Sequence, residues 1–181
     1  MNYAVTIKQW IAEDSARMRA LSAAASLNLP DWCLAAGFVR NLVWDKVHGF
    51  PSLTTLNDID LIYFDPIDSS EKRDRQLEQQ LISLLDSPWS VKNQARMHRR
   101  NGDKPYTSTA DAMSYWVEVE TAVGAALNDS GDIVLVSPFG VDPLFDFTVT
   151  INPKRPKPQD FNERMTTKRW LEIWPRLVVK A

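Results

Sequence analysis

The chain has 181 residues, of which 44% are hydrophobic and 24% charged, so one globular unit with a substantial core is expected and a disordered or fibrous protein is excluded. A net charge of −2, from 21 basic and 23 acidic side chains, gives no general drive toward nucleic acid. A single cysteine, Cys33, rules out an internal disulfide, and with only two histidines a zinc cage of the usual N/S type is ruled out too, so any metal must be held by oxygen. No apolar run approaches the roughly 18 residues that cross a bilayer. The opening MNYAVTIKQW also lacks the layout of a signal peptide, so cytoplasm is the expected compartment and no membrane partner is expected.

In chain order, Thr6 to Leu27 reads as one helix, with apolar residues at three- and four-residue steps and a stop at Leu29-Pro30-Asp31. Trp32 to Ala36 suits a buried strand that ends at Gly37. From there Phe38, Val39, Leu42, Val43 and Val47 follow helical spacing as far as Gly49 and Pro51. Ile59 to Phe64 is β-rich, with Asp58 and Asp60 at its start, and Glu71 to Leu85 is a charged amphipathic helix. Trp89 to Met97 reads as a third strand, with Val91, Asn93, Ala95 and Met97 on one face and Lys92, Gln94 and Arg96 on the other. The alternation predicts an α/β (α+β) fold, a small mixed sheet flanked by helices.

Ala110 to Val117 is a short helix, and Thr121 to Leu127 pairs with Ile133 to Val136 around Asn128 to Asp132. The tail holds Phe145 to Ile151, a proline-broken linker from Pro153 to Pro158, and a last helix from about Asp160 to Trp174. Charge is uneven: Asn57 to Asp86 carries eight acids against three bases, and Lys154 to Arg176 seven bases against three acids. A single domain over 1–181 is expected, with a core over about 1–100 and a C-terminal β/α extension over about 101–181.

Two features point to chemistry. Asp58 and Asp60 are two residues apart at the start of a strand, so their carboxylates share a face roughly 7 Å apart and can converge on a hard cation such as Mg²⁺ or Mn²⁺. Chance gives about one such pair in a chain of this composition, so the pair matters for its place at a buried strand, where charge is costly unless paired or metal-bound. Gly37 at a strand-to-helix turn lets backbone approach a ligand, the amides after it form an anion site, and Arg40 on the first turn adds positive charge.

Ala36-Gly37-Phe38-Val39-Arg40-Asn41, followed by Asp58-Ile59-Asp60, resembles the signature of the DNA polymerase β-like nucleotidyltransferase superfamily. There a Gly-Gly or Gly-Ser turn precedes a helix and an Asp-x-Asp strand follows. The first segment is similar to the Gly-Gly-x-Val-Arg-Asp form of tRNA-adding enzymes, with Ala36 in place of the first glycine and Asn41 in place of the aspartate. The series AGFVRNLVWD, DIDLIYFD, WSVKNQARMH, PFGVDPLFD and Arg164 to Trp170 resembles a bacterial nucleotidyltransferase-like family over nearly the whole chain.

The resemblance implies a nucleotidyltransferase fold and a metal-dependent transfer of NMP from an NTP to an acceptor, a small molecule or RNA, with pyrophosphate release. Asp58 and Asp60 would bind the metal. Gly37, Phe38, Arg40, Lys92 and Arg96 would bind the nucleotide. A third carboxylate, expected on the next strand, is absent from Trp89 to Met97, and Asn93 is the candidate occupant, as a ligand or substrate contact. Three explanations follow: an enzyme with two carboxylates, rescue by Asp142 or Asp146, or a nucleotide-binding regulatory module without turnover. Lys92, Arg96, Arg99, Arg100 and Lys104 form a basic cluster that suits either a ligand or plain solvation. His98, His48, Cys33 and most of the seven tryptophans suit structural roles.

Overall fold

The computed structural model describes residues 1–181. The N-terminal amphipathic stretch forms two helices, α1 (Tyr3–Glu13) and α2 (Ser15–Ala25), instead of one. Asp14 takes extended backbone between them, and its carboxylate accepts from Ala16 N at 3.1 Å and pairs with Arg17 at 2.7 Å. An N-cap residue inside a continuous apolar pattern thus ends one helix and starts the next.

The expected strand and helix follow as β1 (Cys33–Ala35) and α3 (Gly37–His48), then β2 (Ile59–Tyr63), α4 (Glu71–Leu84) and β3 (Trp89–Asn93). The third strand is shorter than expected. At Asn93 the chain turns into α5 (Gln94–Asn101), because the Asn93 side chain accepts from Ala95 N at 3.0 Å and caps the helix. After α6 (Thr109–Met113) come β4 (Gly124–Leu127), β5 (Ile133–Val136), a 3-10 turn over Asp142–Phe145 and β6 (Thr148–Thr150). The expected last helix divides into α7 (Pro158–Lys168) and α8 (Trp170–Ile173) where Arg169 adopts φ 54°, and a strand the sequence did not announce, β7 (Val178–Lys180), pairs parallel with β6.

The main sheet has the order β3-β2-β1-β4-β5, and only β2 and β3 run parallel, joined by the α4 crossover. Two of its strands, β4 and β5, come from beyond residue 100, so both parts of the chain build one sheet. Gly124 opens β4 because a Cβ there would fall 2.5 Å from the Cys33 sulfur on β1. The principal core, including Ile7, Leu21, Leu34, Leu42, Leu61 and Leu81, fills the space between the helices and one face of this sheet.

The free edge of β3 is closed by side chains. Asp74 and Glu78, one turn apart on α4, accept from Asn93 N and Val91 N at 3.1 Å each. Four helical residues rise about 6 Å and two strand residues about 6.6 Å, so the two spacings match. A separate core of Trp44, Val149, Phe161, Trp170, Trp174 and Leu177 fastens α7 and α8 to α3. Trp174 Nε1 donates to the fully buried Asp45 at 2.8 Å, and Thr54 N donates to the same carboxylate at 2.7 Å.

Candidate active site

The β1–α3 turn is held in an unusual backbone. Ala36 has φ 57° and ψ −121°, a region that favours glycine; its N–H donates to Val123 O at 2.8 Å and its carbonyl accepts from Arg40 N at 2.9 Å. The next two amides, of Gly37 and Phe38, are first-turn donors of a 12-residue helix and have no intrahelical acceptor. Both amides are oriented outward from the helix start, and Gly37 lines a cavity of about 710 Å³, an arrangement suited to an anion. A Cβ at Gly37 would sit 3.2 Å from Asn41 Nδ2 and 3.4 Å from Arg40 Nη2, so the glycine keeps this mouth clear.

Asp58 and Asp60 enter the same cavity from the start of β2, Asp58 exposed and Asp60 half-buried, with Asp60 in register with Ala35 on β1 and Ser90 on β3. Neither carboxylate has a protein ion-pair partner. Burial raises the Asp60 carboxyl above its ordinary value and the Asp58 charge raises it further, while Arg40, Lys168 and Arg164 pull it down. Two unpaired, mutually repelling carboxylates fit a hard divalent cation, which commonly takes one or two protein carboxylates and completes its shell with water and substrate phosphate. No group of three His, Cys, Asp or Glu side chains is placed to hold a metal.

A further wall comes from α7 and the residue before it: Arg164 and Lys168 of the helix and Lys157 at its N-cap line the cavity. Arg164 is committed to the buried Glu118, at 2.5 Å from Nε and 3.1 Å from Nη2. Arg40 is only 6% exposed, donates to Thr121 at 2.8 Å and Asn41 at 3.0 Å, and lies over the rings of Trp44 and Trp170 at 5.1 and 4.5 Å. Burial pushes it down to about 10, against the pull of Glu118, and its Nε has no partner. Lys92, Arg100, Lys157 and Lys168 reach the cavity without an ion pair.

A sequence profile described as nucleotidyltransferase matches residues 22–179. The chain belongs to that nucleotidyltransferase family. Among solved structures, an NMR structure described as revealing a CCA-adding enzyme head domain shares 34% identity with TM-score 0.84, over 96% of this chain and 94% of that one. A structure of a tRNA-processing enzyme complex shares the fold at TM-score 0.56 and 13% identity, over 90% of this chain and 43% of that one. No curated protein matches the sequence. The nucleotidyltransferase fold expected from the sequence is thereby established, and no helix is long and apolar enough to cross a membrane.

The chain brings Gly37, Arg40, Asp58, Asp60 and Lys92 to one cavity. The Phe38 side chain points into the core, 1% exposed, leaving only its amide for a ligand. Two expected site residues lie elsewhere. Asn93, fully buried, sits on the opposite face of β3 from Asp60; its Oδ1 accepts from Asp65 N and Ala95 N and its Nδ2 donates to Asp65 O and Asp68 O, so every polar atom is used to tie a loop to a helix start. Arg96 lies on α5, not on a strand, and its guanidinium pairs with Asp74 at 2.5 Å outside the main cavity.

On the face that Asp60 shares, β3 offers Ser90 and Lys92. Asp142 opens the 3-10 turn and Asp146 follows it, and neither reaches the cavity. His48 is structural: its Nδ1 donates to Trp44 O at 2.7 Å and its Nε2 accepts from Arg176 N at 3.2 Å. Sequence reasoning missed Glu118, Thr121, Lys157, Arg164, Lys168 and Trp170, all of which line the cavity. A signal for the tail existed in the apolar positions Phe161, Trp170 and Trp174 interleaved with bases at Arg164 and Lys168.

Proposed function

We propose that the protein transfers a nucleoside monophosphate from an NTP to an acceptor hydroxyl and releases pyrophosphate, with Asp58 and Asp60 as ligands of a divalent cation, Mg²⁺ or Mn²⁺. The observation that carries this is the convergence of the Gly37 turn, with its free first-turn amide, and two unpaired carboxylates on one cavity, within a nucleotidyltransferase fold. The cation, when bound, neutralises phosphate charge and lowers the pKa of a coordinated hydroxyl. The chain supplies the rest. The Gly37 and Phe38 amides orient phosphate oxygens, Lys157 and Lys168 offset their charge from the α7 wall, and Arg40, locked between two indoles, holds a fixed positive charge behind the turn. The acceptor oxygen bonds to the α-phosphorus as the bond to pyrophosphate breaks, and the hydroxyl proton leaves to solvent. Rate enhancement then rests on alignment and preorganised charge.

One observation favours a second reading, a nucleotide-binding module of the same fold without turnover: Ser90 and Lys92 stand on β3 where a third carboxylate would face Asp60. Pyrophosphate release separates the two. The protein is incubated with each NTP, Mg²⁺ or Mn²⁺, and a pool of small-molecule and RNA acceptors including an RNA 3′ end. Release that is lost in Asp58→Ala and Asp60→Ala supports transfer; metal-dependent NTP binding with no release from any acceptor supports the module.

A further inference from the structure

Beside the main cavity lies a second recess of about 490 Å³, between α4, the edge of β3 and α5. Lys92, Met97 and Arg100 line both, so the two adjoin. The second recess carries five bases and three acids, but the acids are already engaged. Asp74 accepts from Tyr63, from Asn93 N and from Arg96. Glu78 accepts from Val91 N, and Glu71 faces Arg75 at 3.7 Å. Lys92, Arg99 and Arg100 are left with no carboxylate partner. Position at the C-terminal turn of α5 is reason enough for cations at Arg99 and Arg100. It does not account for Lys92, an exposed strand residue that lines the same recess.

We propose that this recess binds a phosphate group of the acceptor, so that the acceptor hydroxyl enters the main cavity past Lys92. The proposal rests on nucleotidyl transfer as the activity and adds the chemical class of the acceptor, a phosphate-bearing molecule. Three unpaired cations in one small recess match one phosphate, since guanidinium groups bind its oxygens in pairs. A long backbone track is not what the charge describes: the recess is short, and the chain as a whole carries a net charge of −2.

The test uses the full chain and an Arg75→Glu/Arg99→Glu variant, two exposed positions that line only the second recess. Binding of ribose 5-phosphate, ribose and a short single-stranded RNA is measured by calorimetry and fluorescence anisotropy, with ATP and Mg²⁺ titrated in parallel, and thermal melting confirms folding. The expected result is that ribose 5-phosphate or the RNA binds where ribose does not, that charge reversal weakens it by about tenfold or more, and that ATP affinity is unchanged. Ribose 5-phosphate binding identifies a small phosphorylated acceptor, and binding of RNA alone identifies a strand. Failure of both to bind the wild type, or equal binding to the variant, overturns the proposal. Failure of the wild type to bind ATP with Mg²⁺, while a phosphate probe still binds and responds to charge reversal, overturns nucleotidyl transfer and leaves the recess a phosphate site.

Discussion

Replacing Ala36 by glycine should stabilise the protein, although glycine substitutions usually do the reverse. At φ 57° and ψ −121° the Ala36 Cβ is held in a region that side chains rarely adopt, and the hydrogen bonds to Val123, Val39 and Arg40 prevent relaxation. Such positions cost of order 1–3 kcal/mol. Against this, glycine adds about 0.4–1 kcal/mol of unfolded-state entropy. The balance is a gain centred on about 1.3 kcal/mol, which in a chain of this size raises Tm by roughly 3–5 °C. Thermal melting by circular dichroism, with urea unfolding at constant m-value, measures it. Gly37→Ala is the matched control: Gly37 has no positive φ, and its added methyl would meet only side-chain atoms of Asn41 and Arg40 at 3.2–3.4 Å, so Tm should move little. An Ala36→Gly variant that melts at or below the wild type would refute the strain argument.

Asp60→Asn should melt above the wild type at pH 7, because it removes a half-buried charge repelled by Asp58. Since burial and Asp58 raise the Asp60 carboxyl above its ordinary 3.8, the folded state holds that proton more tightly than the unfolded chain does. The wild type therefore loses stability relative to the variant as pH rises from about 4 through the raised value, and the gap is constant above it; a gap that instead grows on acidification contradicts this sign. Mg²⁺ at ten times its Kd should add about 1.4 kcal/mol to the wild type and nothing to Asp60→Asn. Asn93→Ala should cost about 2–4 kcal/mol in urea unfolding, from lost bonds and stranded amides at Asp65 and Ala95. ATP affinity by calorimetry should stay unchanged, and a variant that unfolds normally but fails to bind ATP would return Asn93 to the site.

What could be read without the structure was local. The strand–glycine–helix unit from Cys33 to His48 and the carboxylate pair at Asp58 and Asp60 depend on contacts within one or two elements, and spacing encodes those directly. The break at Asp14 was missed, because the apolar pattern runs through it unbroken and only the cap to Ala16 N divides the helix. Asn93 was assigned to the wrong face although strand parity already set it apart from Lys92; pairing Asp60 with Ser90 fixes which parity faces the cavity, and pairing register is a tertiary fact. The α7 segment was recognisable as a helix, but its place on the cavity wall was not, for the same reason. Nothing in the spacing of Arg164 or Trp170 states that they meet Glu118 and Arg40, which are 46 and 130 residues away.

That distance has a consequence for biosynthesis. The bond from Trp174 to Asp45 spans 129 residues, and Trp170 covers an arginine laid down near the start of the sheet. While the chain is still being made, the glycine turn and the carboxylates can form, but Arg40 is not yet covered by Trp170 and the part of the cavity wall made by Arg164, Lys168, Trp170 and Trp174 is missing. Contacts of such sequence separation form late. On the proposed function, nucleotide capture would be withheld from incomplete chains, and nucleotide affinity would report that the last twenty residues have docked.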